Sequence, residues 1–331
     1  MPDAPRPRKP PTRLHVVTGK GGTGKTTVAA SLSLALATGG RSVLLCEVEG
    51  RQGLAQLFDV PPLPYEERPL AVAPGGGEVL GLAIDPEAAL LEYLAMYYRL
   101  GRAGKALDRF GVIDFATTIA PGLRDVLLTG KIYEAHARRT KGGQPVYDAI
   151  VVDAPPTGRI TRFLNVNAEV SGLARTGPIH SQADSVMAMM RSPRTAVHLV
   201  TVLEEMPVQE TLDGIAALRA ADLPVGRVIV NLAGRSPLDP DARELLGAGA
   251  LDELTVGRAL DSVSIGAGDT VVRGLLAEGR EHLDRLALQE RQLEVLTGLE
   301  TPPVELPRLV GGVDLGGLYD LAEVLGEEQV A

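Results

Sequence analysis

The chain has 331 residues, 45% of them apolar, with 38 glycines, 24 prolines and a net charge of −9. That length suits one α/β domain with an insertion, and the acidic balance argues against a nucleic-acid binder, which needs a basic face. A single cysteine excludes a disulfide framework and any metal site built on a cysteine pair. Neither a membrane-spanning apolar run nor an apolar signal core is present, so we expect a cytoplasmic protein without direct membrane insertion.

Residues 1–13 contain five prolines and four basic side chains. Proline cannot join a strand ladder, so this composition predicts a disordered tail. The basic charges would either touch an acidic partner or only solubilise the chain. The folded domain is therefore expected to span residues 14–331.

A glycine-rich turn follows the apolar run Leu14–Val17 and opens into a helix-forming segment. Its residues are Gly19, Lys20, Gly21, Gly22, Thr23, Gly24, Lys25, Thr26 and Thr27. The turn fits the G-x-x-x-x-G-K-[ST] pattern, in which glycine N–H groups and the helix N-terminus surround phosphates. Lys25 would lie along the β- and γ-phosphates, and the Thr26 hydroxyl would hold Mg²⁺. The sequence thus predicts a nucleotide phosphate site.

Two carboxylates, Glu47 and Glu49, end the next apolar run, which reads as a strand buried on both faces. Ligands of open α/β sheets bind at the carboxyl ends of strands. Glu47 and Glu49 are therefore candidates for positioning a water linked to Mg²⁺. The alternative is that both only cap a following helix, Leu54 to Phe58.

Two segments, at about 87–143 and 165–194, have helical periodicity and predict an inserted helical subdomain. Before them, residues 59–77 read as a proline- and glycine-rich loop, and residues 78–84 read as a strand. Within the second segment, Met187 to Met190 would either line a groove for a hydrophobic client or serve as core or dimer packing.

The strand ending at Asp153 has the arrangement of a Walker B segment, so its carboxylate would hold the Mg²⁺ shell. The stiff turn after it, residues 154–159, suits sensing of the γ-phosphate. A later strand at residues 228–231 ends in Asn231, whose amide can pair with adenine. Because no guanine-reading NKxD motif follows, ATP is favoured over GTP. A long amphipathic helix is predicted over residues 269–299.

Four stretches in chain order resemble the family that contains the arsenical-pump ATPase and the tail-anchored-protein targeting ATPase. They are GKGGTGKTT, VLLCEVEGRQGLAQLF, DAPPTGRITRFL, and VTVLEEMPVQET with VIVNLAG. The resemblance implies a P-loop NTPase fold with a doubly wound, mostly parallel sheet. It also implies that ELPRLVGG, through Pro307 and Arg308, covers the adenine.

Lys20 marks the deviant Walker A variant of the P-loop, and the resemblance gives it a role across a dimer interface, at the partner's nucleotide. The plainer alternative is that Lys20 is a second local counter-charge for the polyphosphate. Glu49 stands where the family has the Asp that orients the attacking water. Its extra methylene moves the carboxylate by about an ångström, a shift that can cost on the order of a hundredfold in rate.

The resemblance implies a Mg²⁺-dependent ATPase that dimerises, either with itself or with a sister ATPase half. Its nucleotide state would reshape a helical surface for a hydrophobic client or a membrane-protein partner. With one cysteine, the metalloid and zinc sites of the family cannot be built within one chain. The alternative is a nucleotide-gated, chaperone-like binding module with little turnover. A partition ATPase would need a basic surface that the sequence lacks.

Overall fold

Eight strands form one sheet in the computed structural model, which describes residues 11–98, 122–173, 178–234, 236–328 and 330. The strands are β1 (Leu14–Gly19), β2 (Ser42–Glu47), β3 (Arg68–Val72), β4 (Glu78–Ala83), β5 (Ala149–Asp153), β6 (Thr195–Thr201), β7 (Val225–Ala233) and β8 (Val304–Pro307). Their order is β3-β4-β2-β5-β1-β6-β7-β8, and every neighbouring pair is parallel except β3 with β4. The predicted mostly parallel sheet of a P-loop NTPase is confirmed.

The edge strand β3 corrects the sequence interpretation, which assigned residues 59–77 to a loop. β3 pairs antiparallel with β4, and the register shifts between Pro69 and Ala71. A sheet accepts proline at an edge, where its missing N–H breaks no ladder. The proline and glycine content therefore hid a real strand. The neighbouring strand predicted at 78–84 is confirmed as β4.

Helices cover both faces of the sheet. They are α1 (Lys25–Ala37), α2 (Gly53–Leu57), α3 (Pro86–Tyr98), α4 (Leu123–Ala137), α5 (Thr157–Leu173), α6 (Pro178–Met190), α7 (Glu205–Ala220), α8 (Pro240–Gly247), α9 (Glu253–Ser262), α10 (Asp269–Thr297) and α11 (Leu315–Glu327). One core layer lies between the sheet and α1 with α11. The other joins the opposite face to α4, α5, α6 and α7. None of the described helices is long and apolar enough to cross a bilayer.

Parts of the predicted tail and insertion, residues 1–10, 99–121 and 174–177, lie outside the described residues. The described parts of the two predicted segments contain α3, α4, part of α5, and α6, with non-helical residues at 138–143 and 191–194, and their bounds as a subdomain stay a prediction. The methionine stretch is packed rather than displayed: Met187, Met189 and Met190 are 7%, 6% and 1% exposed. Arg13, at the end of the predicted tail, is buried, and its guanidinium donates to the Tyr147 carbonyl at 3.0 Å.

The segment between β7 and β8 contains two helices that the sequence interpretation did not include, α8 and α9. Each begins at an aspartate N-cap. The Asp239 carboxylate accepts from the Ala242 N–H, and the Asp252 carboxylate accepts from the Thr255 N–H, both at 2.7 Å. The long helix α10 confirms the prediction over 269–299. Its N-terminal half packs with α8 and α9 in a separate small core rather than on the sheet.

Two histidines, His15 on β1 and His198 on β6, form a buried pair. Their rings stack with centroids 5.3 Å apart, and His15 Nδ1 lies 3.1 Å from His198 Nε2. Because His198 Nδ1 accepts from the Arg227 N–H, its Nε2 carries the proton that is donated to His15. Burial lowers the pKa of His15 to about 4 and lowers the pKa of His198 well below its usual value. Both rings are therefore neutral in the folded protein.

Acidification should destabilise the fold through this pair. Unfolded histidine has a pKa of about 6.5, so the unfolded chain binds more protons below that pH, and the free energy of unfolding falls as pH drops toward 4. For His15 the loss between pH 7 and pH 5 is on the order of 2 kcal/mol.

Urea unfolding at pH 7 and pH 5 checks this. A variant with both histidines replaced by glutamine should lose less stability than the wild type over that interval. Asp153, whose pKa is raised, has the opposite pH dependence, but it is common to both proteins and cancels in the difference. Equal pH dependence in the two proteins would contradict the assignment.

Candidate nucleotide-binding site

The glycine-rich turn lies between β1 and α1, and its shape depends on two glycines. A Cβ at Gly19 would overlap the carbonyl oxygen of Val200 on β6. Gly24 has a φ of +86°, and a Cβ there would overlap the amide nitrogen of Asn231. Only glycine allows the turn to lie this close to β6 and β7. Packing therefore requires glycine at both positions, independently of the predicted phosphate binding.

Asn231 holds the turn from the side of β7. Its side chain is buried, and its Nδ2 donates to the Thr23 carbonyl at 2.9 Å. Inside the turn, the Thr23 hydroxyl donates to the Lys20 carbonyl, also at 2.9 Å. The side-chain nitrogen of Asn231, the residue predicted to contact adenine, thus already donates a hydrogen bond to the phosphate loop. The adenine contact of Asn231 stays a prediction.

Thr26, in the first turn of α1, contacts Asp153 at the end of β5. The Thr26 hydroxyl donates to Asp153 Oδ2 at 2.7 Å, while Asp153 Oδ1 is buried with no hydrogen-bond partner among the described residues. Burial raises the pKa of Asp153 to about 6, helped by nearby Glu47 and Glu49 and opposed by the Thr26 hydroxyl and the Lys25 ammonium. Mg²⁺ prefers oxygen ligands and completes its shell with water and phosphate. A hydroxyl beside a partly unsatisfied carboxylate fits that ion.

Glu47 and Glu49 have different environments. The two roles predicted for them, positioning a water and capping the following helix, can therefore be considered for each residue in turn. Glu47 is buried, and its Oε2 accepts from the N–H of Leu54 in α2 at 3.2 Å, so it does contact the following helix. Glu49 is 19% exposed and lies 3.8 Å from Arg51. Both are close enough to Asp153 to raise its pKa. Glu47 therefore keeps one oxygen, Oε1, without a hydrogen-bond partner among the described residues, whereas Glu49 makes no contact with the helix in the bonds described.

The two lysines of the turn also differ. Lys25, in the first turn of α1, is buried and acts on the pKa of Asp153. Lys20 is 31% exposed, and its Nζ lies 3.0 Å from Oε1 of Glu210 on α7. Within a single chain, Lys20 therefore has a carboxylate partner. Sequence reasoning missed Glu210, because only folding brings α7 to the turn.

The predicted adenine-covering residues, Pro307 and Arg308, are exposed at the end of β8. The Arg308 N–H donates to the Ala233 carbonyl at 2.9 Å, two residues beyond Asn231 on β7. These residues therefore flank the strand that holds the phosphate loop.

The hydroxyl of Thr157 was not predicted as a site residue. It lies at the start of α5 and is buried with no hydrogen-bond partner among the described residues. It lies in the turn predicted to sense the γ-phosphate.

The model of a family described as anion-transporting ATPases matches residues 12–193, more than half of the chain. The chain belongs to this family. The matched part contains the phosphate loop, Glu49 and Asp153, and it ends before Asn231. The membership predicted from the motifs is confirmed.

Named relatives agree with the family. Over 318 residues the chain is 54% identical to ATPase BagA of Mycobacterium tuberculosis, covering 96% of this chain and 94% of the relative. It is 25% identical over 260 residues to ATPase get3 of Schizosaccharomyces japonicus, covering 69% and 75%. It is 27% identical over 214 residues to the arsenical pump-driving ATPase of Acidiphilium multivorum, covering 58% of this chain and 34% of the relative.

Gly24→Ala should weaken ATP binding, because the new Cβ needs an unfavourable φ and displaces the Asn231 amide. A residue forced into such a backbone region costs roughly 1–3 kcal/mol, so the dissociation constant should rise by about 10- to 100-fold. Calorimetric titration with a slowly hydrolysed ATP analogue measures this. Gly274→Ala, on the exposed side of α10 with open space around it, is the control. Unchanged affinity in Gly24→Ala would refute the packing argument.

Proposed function

We propose that this protein is a Mg²⁺-dependent ATPase whose nucleotide state reshapes its helical insertion. The observation that carries the proposal is the Thr26 hydroxyl bonded to Asp153 at 2.7 Å beside a phosphate-binding turn. Membership of an ATPase family supports the same activity.

The chain's own groups divide the work of binding. The N–H groups of the turn would hold the phosphates at the N-terminus of α1, and Lys25 would neutralise the β- and γ-phosphates. Thr26 and Asp153 would hold Mg²⁺. When bound, Mg²⁺ would neutralise charge that develops on the phosphate oxygens. Asn231 would keep the turn in place through the Thr23 carbonyl, with the loop at Pro307 and Arg308 beside the base.

Glu49 would orient the attacking water. Its carboxylate lies near Asp153 without the helix contact that occupies Glu47. A carboxylate that positions water acts by geometry, and a displacement of about 1 Å can lower a rate on the order of a hundredfold. Hydrolysis by the resting chain is therefore expected to be slow and sensitive to the conformation of this loop.

A second subunit would complete the site through Lys20. In the single chain Lys20 pairs with Glu210, so reaching a partner's nucleotide requires this ion pair to break. The partner would be another copy of this chain or a sister ATPase half. Closure of two subunits around ATP would then move the insertion and expose or hide a surface for a hydrophobic client or a membrane protein.

The first test compares Mg²⁺-dependent phosphate release by the wild type and Lys25→Ala. Lys25→Ala should lose the activity, and Glu49→Gln should lower the single-turnover rate by about 10- to 100-fold because the carboxylate is gone. Glu49→Asp should keep activity. Glu278→Gln, exposed on α10, is the matched control.

Equal rates of phosphate release by the wild type and Lys25→Ala would contradict the proposed ATPase activity. A wild-type rate in Glu49→Gln, with ATP binding intact, would instead favour the nucleotide-gated binding module and remove the water-orienting role.

The second test concerns Lys20. Lys20→Ala should prevent dimer formation with the ATP analogue in analytical ultracentrifugation. Glu210→Gln should favour the dimer by up to about fivefold, because an exposed ion pair contributes roughly 0.2–1 kcal/mol. Asp213→Asn, one turn further along α7, is the control. If Glu210→Gln and Lys20→Ala dimerised equally well with the analogue, the role across the interface would be wrong.

A further inference from the structure

The loop that carries Glu49 has an unusual backbone. It joins β2 to α2, and two of its residues have left-handed φ angles: Gly50 at 68° and Gln52 at 57°. Glycine tolerates this region, but a residue with a Cβ adopts it at a cost in conformational energy. The surrounding structure must therefore hold Gln52 in place.

The contact that holds it is made by both ends of its own side chain. Gln52 Oε1 accepts from the Leu63 N–H at 2.7 Å, and Gln52 Nε2 donates to the Leu63 carbonyl at 3.1 Å. Leu63 itself is buried in the core. The amide thus forms a two-bond clamp between the loop and the segment before β3.

The Gln52 clamp follows Glu49 in the chain, and a second hydrogen bond holds the residue that precedes it by two positions. Before Glu49, the Glu47 carboxylate accepts from the Leu54 N–H at 3.2 Å. A cavity of about 540 Å³, lined in part by Gly50, Gln52, Leu63 and Asp85, borders the loop. The loop has room to move there if the clamp is lost.

We propose that Gln52 is a positioning residue, which fixes the Glu49 carboxylate by clamping its loop to the backbone of Leu63. The inference rests on the proposed function, because it assigns Gln52 a part in ATP hydrolysis. Gln52 acts through Glu49 and touches no reacting atom.

The far side of the clamp is fixed to the helical insertion. Two residues after Leu63, the Tyr65 hydroxyl donates to Glu92 Oε2 on α3 at 2.6 Å. The Lys131 ammonium on α4 bonds the same carboxylate at 2.8 and 2.9 Å. Gln52 therefore joins the loop of Glu49 to the base of the insertion. A movement of α3 and α4 reaches the hydrolytic loop through it.

Three variants test the role. Gln52→Asn tolerates the left-handed backbone but is one methylene too short to make both bonds, and Gln52→Gly relieves the backbone while removing the amide. Both should lower kcat by about 10- to 100-fold and leave the KM for ATP within about twofold. Gln56→Asn, exposed on α2 one turn away, should keep the wild-type kcat. A wild-type kcat in Gln52→Gly would show that the amide has no positioning role.

Hydrogen exchange of the Leu63 N–H, measured without nucleotide, separates this inference from the proposed function. Gln52→Asn should exchange faster at Leu63 than the wild type or Gln56→Asn. Faster exchange together with an unchanged kcat would overturn the positioning role while leaving the ATPase intact. If the wild type hydrolysed ATP no faster than Lys25→Ala, both the positioning role and the proposed ATPase activity would be overturned.

Tyr65→Phe tests the link to the insertion. It should lower kcat by less than Gln52→Asn does, and the double variant should be no slower than Gln52→Asn alone, because both changes act on one connection. Additive losses would show that Tyr65 and Gln52 act separately and would remove the link.

Discussion

The hydrogen bond from Thr26 to Asp153 is the contact on which the site depends. It forms because β5 pairs in parallel with β1, so both strands end at the same edge of the sheet. Thr26 reaches that edge only because the turn after β1 is tight enough to start α1 at once. Gly19 and Gly24 permit this by removing the Cβ atoms that would overlap β6 and Asn231. The strand order and the two glycines therefore together determine where Thr26 lies relative to Asp153.

Several polar atoms around this contact are buried without partners among the described residues: Asp153 Oδ1, Glu47 Oε1 and the Thr157 hydroxyl. Leaving such groups unsatisfied costs free energy. A ligand can satisfy such atoms, and two of them are tied to the phosphate turn: Asp153 bonds Thr26, and Glu47 is close enough to Asp153 to raise its pKa. The raised pKa of Asp153 has the same origin, since its burial places negative charge in a poorly solvated position that a cation would stabilise.

The sequence was sufficient for features encoded locally. The phosphate turn, the strand ending at Asp153 and the buried parallel strands follow from short patterns. α8 and α9 were not predicted, although their caps Asp239 and Asp252 are a local signal for a helix start. Other features depend on contacts that no short pattern reveals. The partner of Lys20 is 190 residues away, and the different environments of Glu47 and Glu49 appear only once α2 is placed.

Thr26 and Asp153 would together form a site for magnesium when nucleotide is bound. Titration of the wild type and Asp153→Asn with a slowly hydrolysed ATP analogue, with and without Mg²⁺, measures how far this site depends on the charge of Asp153. Asn keeps the shape and still accepts the Thr26 hydrogen bond, but it removes the charge. We expect Mg²⁺ to tighten analogue binding to the wild type and to have little effect on the variant. An equal Mg²⁺ effect on both proteins would show that the Asp153 carboxylate does not hold the ion.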